Sequence, residues 1–449
     1  MLAHSLILRA EQLVRRSFRV RPARAALFPV ESGALAIATS QLRWSSEASQ
    51  RNAVGNASPF VAKSCDALDV VMNKNRELRT LLKTLSWPQL MSFEAHGKTY
   101  SLPCHQAELS SHAGGLSVPR RLKYLAGFFD GDGCVRPNGL SGCSLAIGQS
   151  INHAGVLLLF LDMFGGRVRR HTPGVGLCRP MLRWEVGGPN ASHAARLLAP
   201  YSIVKRQQLR LAGAWPQDKL RRQQFNKELQ GLKRCDSAVV GHCTMEYIAG
   251  FFDAEGYVQQ QATRTSLSLT ISQKYVTVLE CLKDSLAHCL SLDVQIYPLD
   301  SSYRLVVSRT SACKLLLQEM LAAGLFCKAQ QAELALSLVP QNATQVREAL
   351  ADQVGNQNFG KRLDEDGSRR AREIVSANRK AARLKRRGEL CQAESKLHEA
   401  EVLKQKHKLL KALHENQQLH DYACKLRSVR RLPTSEPQVA EPKEKCLHT

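Results

Sequence analysis

Two stretches of the chain share one pattern, in which apolar and small residues lead into a pair of acids and a glycine. The first stretch is residues 125–133 (LAGFFDGDG) and the second is residues 248–256 (IAGFFDAEG). The second copy follows the first at a constant offset of 123 positions, for example from Asp132 to Glu255. The chain therefore contains an internal repeat, around which the rest of its pattern is interpreted.

Each copy predicts a helix that ends at its acids. The run Ser117-Val118-Pro119 and the residue Thr244 are helix-start signals. Gly133 and Gly256 are helix-stop signals directly after the last acid of each copy.

Small residues inside the two predicted helices indicate close contact between their backbones. These residues are Ala126, Gly127, Ala249 and Gly250. Two helices packed in this way bring Asp132 and Glu255 together at one end. Because two acids held that close repel each other, we expect a divalent cation with oxygen ligands between them, and Mg²⁺ is the first choice.

The segments after each motif alternate between apolar and polar residues, as strands do. In the first copy they predict strands at 134–136, 144–149, 168–170 and 182–186, and helices at 156–163, 194–198 and 207–211. In the second copy they predict strands at 257–261, 266–273, 294–297 and 303–307, and helices at 276–290, 313–321 and 330–338. The predicted fold class is α/β (α+β), with two copies of one unit in the order α-β-β-α-β-β-α.

Segment 368–428 contains no proline and favours a long helix or a coiled coil. A spacing of seven recurs at Leu390/Leu397, Ala393/Ala400 and Leu403/Leu410. In its first half, residues 369–387 are rich in Arg and Lys, with Glu373 as their one acid. This half is either a solvated helix face or an arm that binds phosphates. Residues 431–449 contain three prolines and are predicted to be disordered.

The charge of the chain points to an acidic polymer as its partner. The formal net charge is +24 over 449 residues, and the sequence pI is about 9.7. Charge alone does not separate DNA, RNA and anionic membranes. No run of eighteen apolar residues occurs, so we expect no transmembrane helix. Fourteen cysteines without a C-x-x-C pair argue against a disulfide framework or a zinc ribbon.

The first 48 residues are rich in Arg, poor in acids and free of Lys. This composition predicts an organelle transit peptide. A mitochondrion is favoured over a plastid because Arg outweighs the hydroxyl residues. The alternative is a disordered basic arm that binds nucleic acid directly. Residues 49–116 are an N-terminal extension to which the sequence assigns no role, with a linker at 112–115.

The two motifs resemble those of the LAGLIDADG homing endonuclease family, in its single-chain form with two motifs, and most closely its algal organelle-intron branch. The resemblance implies two pseudo-symmetric αββαββα units with saddle-shaped antiparallel sheets, at 117–233 and 243–360. A linker at 234–242 joins them, and a basic helical arm or coiled coil follows at 361–430. The resemblance also implies a monomer with internal pseudo-two-fold symmetry.

In that family the last acid of each motif binds metal and drives phosphodiester cleavage, a role that falls here on Asp132 and Glu255. Mg²⁺ or Mn²⁺ would be held with backbone carbonyls near Gly131 and Ala254. The inner acids of the motifs, Asp130 and Asp253, match family positions that are more often structural.

The resemblance extends to two pairs of residues outside the motifs. Lys205 and Lys328 each lie 73 positions after the last acid of their motif, Asp132 or Glu255. A lysine at this place in the family polarises water or stabilises developing charge. Gln149 and Gln273 end the second strand of each copy, where the family places a polar residue that positions water. The next residue is Lys274 in the second copy and a serine in the first, so the halves are not equivalent.

Sequence recognition would fall to the two sheets, which can lie along the major groove of DNA. Alternate residues of a strand face one side, and the polar ones are the candidates for DNA contact. The candidates are Arg136, Asn138, Arg169 and Arg183 in the first copy, and Tyr257, Gln259, Gln261, Arg264, Ser266, Ser268 and Lys274 in the second.

These patterns leave more than one function open. The first is a site-specific, metal-dependent endonuclease that cuts double-stranded DNA. The second is a domesticated organelle protein that binds intron RNA and assists splicing, which the transit peptide and the basic C-terminal arm favour. A transcription regulator on the same fold is a third. The presence of both acids and both lysines favours the nuclease.

Overall fold

The repeated motif lies in a repeated order of helices and strands. The computed structural model describes residues 59–109, 117–138, 142–260, 265–353 and 363–431. The chain begins there with α1 (Pro59–Leu82), β1 (Ser92–Ala95), β2 (Lys98–Ser101) and β3 (Cys104–His105). The first unit follows with α2 (Val118–Asp132), β4 (Gly133–Asn138), β5 (Gly142–Ser150), α3 (Gly155–Phe164), β6 (Arg167–Thr172), β7 (Met181–Gly187), α4 (Gly188–Leu198), α5 (Arg206–Gly213) and α6 (Lys219–Arg234).

The second unit repeats this order. It consists of α7 (Met245–Glu255), β8 (Gly256–Gln260), β9 (Leu267–Gln273), α8 (Thr277–Leu290), β10 (Gln295–Pro298), β11 (Tyr303–Val307), α9 (Thr310–Ala322), α10 (Ala329–Leu336) and α11 (Ala343–Gln353). Two further helices follow, α12 (Glu365–Arg386) and α13 (Leu390–Arg431). The mixed fold of helices and antiparallel sheets predicted from the sequence is confirmed.

The two motif helices begin and end where the sequence signals place them. The N-cap of α2 is Ser117, and the N-cap of α7 is Thr244, whose side chain accepts a hydrogen bond from the backbone of Tyr247. The glycines that end the helices have φ of −74° and −78°, so the left-handed conformation is not what requires them. A Cβ at Gly133 would instead lie under 3.0 Å from the ring and carbonyl of Phe129. The glycine allows the chain to leave the helix directly into β4.

Each unit forms one antiparallel sheet, and the two sheets differ at one edge. The strand order is β10-β11-β9-β8 in the second unit and β3-β6-β7-β5-β4 in the first. The fifth strand, β3, pairs Cys104 with Val168 and comes from the extension to which the sequence assigned no role. Two residues are too short a strand to leave an alternating pattern, which is why the sequence does not reveal it. The helix α6 was also not predicted.

One face of each sheet is buried against helices and the other, called the open face below, is exposed. In the first sheet the buried face is formed by Leu145, Ile147, Leu182, Trp184 and Val168, all at most 1% exposed. Trp184 also donates a hydrogen bond of 2.9 Å from its indole to the carbonyl of Gly165. Packing of the apolar face fixes the register of each strand, and so decides which residues lie on the open face.

Helices α1, α12 and α13 pack together and form what we call the helical module. Arg79 in α1 donates to one carboxylate oxygen of Glu415 in α13 from two nitrogens, at 2.7 and 2.9 Å. Leu82 packs against Leu419 in a small apolar cluster between the two helices. The hydroxyl of Tyr422 donates to the carbonyl of Gly176, in the loop between β6 and β7, at 3.1 Å. The helical module is therefore tied to the first unit.

The contact between α12 and α13 is made by small side chains, not by the leucines of the predicted heptads. Ala393 and Ala400 are at most 3% exposed, whereas Leu390 and Leu397 are at least 50% exposed. Of the spacings of seven named from the sequence, Ala393/Ala400 therefore lies in the contact and Leu390/Leu397 does not. Alanine is preferred at the interface because it allows two helix backbones to approach closely, and the leucines then face away.

This arrangement makes a stability prediction. We expect Ala400→Leu to lower the free energy of unfolding by about 1–3 kcal/mol, because it overfills a tightly packed contact. Leu397→Ala, one turn away on the exposed side, should change it by less than about 0.5 kcal/mol. Urea unfolding of the full chain measures both. Equal effects would contradict the alanine interface.

Several predictions lie outside the described residues. These are the transit peptide at 1–48, the linker at 112–115, the candidate contacts Gln261 and Arg264, the side chain of Asn138, and the tail after residue 431. Within the described part of the chain, no helix is both long and apolar enough to cross a membrane.

Candidate active site

Helices α2 and α7 lie against each other at their glycines. A Cβ added to Gly127 would lie under 3.0 Å from the carbonyl oxygen of Tyr247, and one added to Gly250 equally close to that of Tyr124. These two contacts are related by the same 123-residue offset as the motifs. The neighbouring residues Ala126 and Ala249 are fully buried. The four small residues named from the sequence thus lie in the interface between the two units.

Asp132 and Glu255 lie where these helices end, as the last residues of α2 and α7. A Cβ at Gly131 would touch the Cβ of Ala254 and lie 3.1 Å from Cγ of Glu255, so the two motif ends adjoin. Burial, followed by repulsion from Glu255, raises the pKa of Asp132 from 3.8 to about 6, against the opposing effects of Lys328, Lys205 and Gln149. The two carboxylates therefore lie close together in a partly buried place, where their negative charges repel each other.

The inner acids have a different environment, because each is surrounded by hydrogen-bond donors. Asp130 accepts from Tyr247 of the opposite helix at 2.7 Å and from the amides of residues 203–205 at 2.6–2.9 Å. Asp253 accepts from Tyr124 at 2.7 Å and from the amides of residues 326–328 at 2.7–2.9 Å. Burial raises the pKa of both tyrosines, which keeps their hydroxyls as donors. These acids hold the loop before each lysine in place.

The two lysines lie at the ends of the motif helices. The ammonium of Lys205 donates to the carbonyls of Phe129 and Gly131, each at 3.0 Å, and to that of Asp130. The ammonium of Lys328 donates to the carbonyl of Asp253. Burial lowers the pKa of Lys205, and the nearby acids Asp130, Asp132 and Glu255 oppose that shift. The carbonyl of Gly131, which the sequence offered as a metal ligand, is thus already engaged by a lysine.

The two glutamines are not equivalent. The side-chain amide of Gln149 donates to Asp132. Gln273 is half-buried at the end of β9, opposite Tyr303, and within the described residues it makes no hydrogen bond to Glu255. The structure therefore brings Asp132, Glu255, Lys205, Lys328 and Gln149 to one place and leaves Gln273 at its border.

The arginines named in the first unit lie on the open face of its sheet. Arg169 is opposite Arg183 in the pairing of β6 with β7, and Arg136 extends from β4. Burial is the main cause that lowers the pKa of Arg183. The like charges of Arg136 and Arg169, which lie close to it, lower it further. The guanidinium of Arg183 also contacts the imidazole of His171.

Two residues of this face were not named from the sequence. Glu185 accepts from Arg167 and Arg169, with closest distances of 2.7 Å to each. The hydrogen bond from Arg169 is the main cause that lowers the pKa of Glu185 from 4.5 to about 2. Arg167 and Glu185 have the same strand parity as Arg169 and Arg183, so alternation alone could have identified them.

The environment of Glu185 predicts a pH dependence of stability. Because its pKa in the folded chain lies below 4.5, its ion pairs stabilise the fold fully above about pH 4.5, and this stabilisation is lost as the pH falls towards 2. Both arginines are well exposed, so we expect Glu185→Gln to cost only about 1 kcal/mol at pH 7. Urea unfolding at pH 7 and pH 3 measures the difference, which should shrink at pH 3.

The named residues of the second unit are of mixed exposure. Tyr257 and Gln259 are exposed on β8, and Lys274 is exposed after β9, 4.9 Å from the ring of Tyr275. Ser266 is half-buried, and Ser268 is only 9% exposed although its parity places it on the open face. Ser268 is therefore a poor candidate for contact with DNA.

Within the described residues, no group of three or more His, Cys, Asp or Glu side chains could hold a metal ion. The acid pair offers two carboxylates, so further ligands there would have to be carbonyls, water or a bound phosphate.

Comparison with known proteins finds a family model that matches part of the second unit. Residues 243–317 match the LAGLIDADG-like domain. No curated protein sequence matches the chain. Among solved structures, the LAGLIDADG meganuclease I-AabMI bound to uncleaved DNA is 17% identical, with 52% of this chain and 96% of that chain covered and a TM-score of 0.38. The LAGLIDADG homing endonuclease I-SmaMI bound to cleaved DNA is 15% identical, with 54% and 98% covered and a TM-score of 0.38.

The matched segment contains the second motif, and the first motif repeats it at a constant offset, with the same tyrosine, inner acid and lysine around it. Residues 243–317 therefore carry a LAGLIDADG-like domain, and the first motif repeats the pattern of the second within the same chain.

Proposed function

We propose that the protein is a site-specific endonuclease that hydrolyses both strands of a long, asymmetric DNA site, with divalent metal held by Asp132 and Glu255. The observation that supports this most is the convergence of these two acids at the joined ends of α2 and α7. The two open sheet faces then offer the duplex a contact surface on either side of the acids. A net charge of +24 favours a polyanion as partner.

The residues around the acid pair fit Mg²⁺ or Mn²⁺. Their donors are carboxylate and carbonyl oxygens, which hard divalent cations prefer. Burial and the nearby Glu255 raise the pKa of Asp132, and a bound cation would offset both effects. Such a cation, held by Asp132 and Glu255, would neutralise charge on the phosphate and lower the pKa of a bound water.

The other residues of the site have roles that follow from their positions. Lys205 and Lys328 place an ammonium beside the acids, where it can stabilise charge that develops on the phosphate. To do so, each must exchange a backbone carbonyl for a phosphate oxygen or water. Gln149 orients the carboxylate of Asp132. Asp130 and Asp253 hold the backbone from which the lysines extend, and take no part in proton transfer.

The test is a cleavage selection on a randomised DNA library with the purified full chain and Mg²⁺. We expect cut products that share one long, asymmetric sequence, and no cutting when the cation is chelated. Sequence-independent nicking, or the same cutting with and without chelator, would overturn the proposal.

A second candidate function is the binding of intron RNA during splicing. It is favoured by a cluster of exposed cations at the turn between α12 and α13, far along the chain from the acids. Its members are Arg379, Lys380, Arg383, Lys385, Arg386 and Arg387. Gel-shift binding to organelle intron RNA, with alanines at Arg383, Arg386 and Arg387, distinguishes it: loss of RNA binding with intact DNA cleavage would assign the helical module to RNA.

We further propose that residues 1–48 direct the protein to the mitochondrion. The support is their content of Arg and their lack of Lys. Imaging of these residues fused to a fluorescent protein tests it, and accumulation in plastids or the cytosol would contradict it.

A further inference from the structure

The two sheets differ sharply in charge on their strands. Strands β4–β7 carry five arginines and one acid, at Arg136, Arg167, Arg169, Arg170, Arg183 and Glu185. The described strands of the second unit, β8–β11, carry Arg304 and no other charged residue. Two units related by an internal repeat have therefore acquired open faces of different chemistry.

The arginines of the first unit are arranged for recognition more than for stability. Arg136 and Arg183 form no ion pair within the described residues, and Arg183 lies close to both Arg136 and Arg169, which repel it. Such repulsion disfavours the folded state until an anion or a group of hydrogen-bond acceptors binds to the guanidinium groups. Gly148 lies beside Arg183 on the neighbouring strand, so that no side chain there covers the guanidinium.

Neighbouring residues also fix the directions of these side chains. Glu185 accepts from Arg167 and Arg169 and holds both. His171 contacts the guanidinium of Arg183, and its own pKa is lowered by burial and by Arg183, so the neutral ring serves as an acceptor. A guanidinium held in one orientation suits a bidentate contact with O6 and N7 of guanine in the major groove.

Apart from Arg304, the open face of the second unit carries amides, hydroxyls and tyrosines. Gln259 and Gln295 are exposed, and Tyr257 and Tyr297 are 41% and 51% exposed. Glutamine amides match N6 and N7 of adenine, and apolar groups match the methyl group of thymine. This face therefore suits A·T pairs.

We propose that the first unit reads a G·C-rich half of the DNA site and the second unit an A·T-rich half, with Arg183 and Arg136 as the guanine-reading residues. The inference rests on the proposed function and adds the composition and polarity of its substrate. A strand rises about 3.3 Å per residue and DNA about 3.4 Å per base pair, so Arg136 would lie about four base pairs from the cleavage centre.

The test is selection of bound sequences from randomised DNA in Ca²⁺, with the full-length protein, Arg183→Ala, Gln259→Ala and Arg170→Ala. We expect Arg183→Ala to lose preference for guanine by about 5- to 150-fold at its position. Gln259→Ala should weaken the preference for adenine at its position in the opposite half of the site. Arg170 is the matched control, because it is exposed on β6 but has the opposite parity to Arg169. Arg170→Ala removes one positive charge away from the open face, so it should weaken binding only slightly and to all sequences alike.

Three results would overturn the inference. The two halves of the selected site could have the same composition, the positions changed by Arg183→Ala and Gln259→Ala could lie in one half, or Arg183→Ala could act like Arg170→Ala. In each of these the protein still selects and cuts a site, so the proposed function stands. If the unsubstituted protein selects no sequence and cuts none, the proposed function fails and this inference fails with it.

Discussion

We expect Asp132→Asn and Glu255→Gln each to lower the rate of DNA cleavage in Mg²⁺ by about 10³-fold or more, because each removes the charge of a proposed metal ligand that would supply several kcal/mol of transition-state stabilisation. Affinity for the same DNA in Ca²⁺ should change far less, since in the proposed complex the sheets make most of the contacts with DNA. Single-turnover cleavage and gel-shift binding measure the two effects separately.

The Asp132 variant carries its own control for folding. Burial and Glu255 raise the pKa of Asp132 to about 6, so the ionised carboxylate disfavours the folded state at higher pH. Without divalent cation at pH 7.5, Asp132→Asn should therefore unfold at the same or a higher urea concentration than the unsubstituted chain. A variant that is inactive and also less stable would instead indicate a structural role for Asp132.

We expect Gly127→Ala to lower the free energy of unfolding by about 3 kcal/mol, at the upper end of what overpacking costs. The reason is that the added methyl group would lie against the carbonyl of Tyr247, which belongs to a helix backbone and cannot rotate away. Gly250→Ala should have the same effect through Tyr124. Chemical unfolding monitored by circular dichroism measures both.

Gly231 in α6 is the matched control, because a Cβ there would have nothing within 4 Å. Gly231→Ala should raise the free energy of unfolding by about 0.5–1 kcal/mol, the usual gain for alanine over glycine inside a helix. If Gly127→Ala and Gly231→Ala shift stability in the same direction, the two motif helices do not touch at Gly127.

The sequence was sufficient for the parts of the fold that repeat. Two registered motifs predicted α2 and α7, their end at the glycines and the meeting of Asp132 with Glu255. Alternation predicted the eight strands of the two units, because burial of one face imposes a period of two. An equal offset from each motif singled out Lys205 and Lys328, and the resemblance to the family implied their place beside the acids.

The sequence was insufficient where contacts join distant segments. Nothing in residues 104–105 indicates a strand, since its pairing depends on β6, more than sixty residues later. The crossed bonds of Tyr124 and Tyr247 depend on how two helices are placed side by side. The burial of Ser268 and the exposure of Leu390 likewise follow from neighbours that periodicity does not identify.

The crossed tyrosines have a consequence for how such a chain can change during evolution. Each unit completes the hydrogen bonding of a buried acid in the other, so neither can be exchanged freely for a foreign unit. A replacement unit must carry both a tyrosine and an inner acid at the equivalent positions of its motif helix. Otherwise it leaves a buried carboxylate without its hydrogen-bond donor at the interface between the two helices. Shuffling of halves is thereby restricted to partners with this pairing, while the outer strands remain free to diverge.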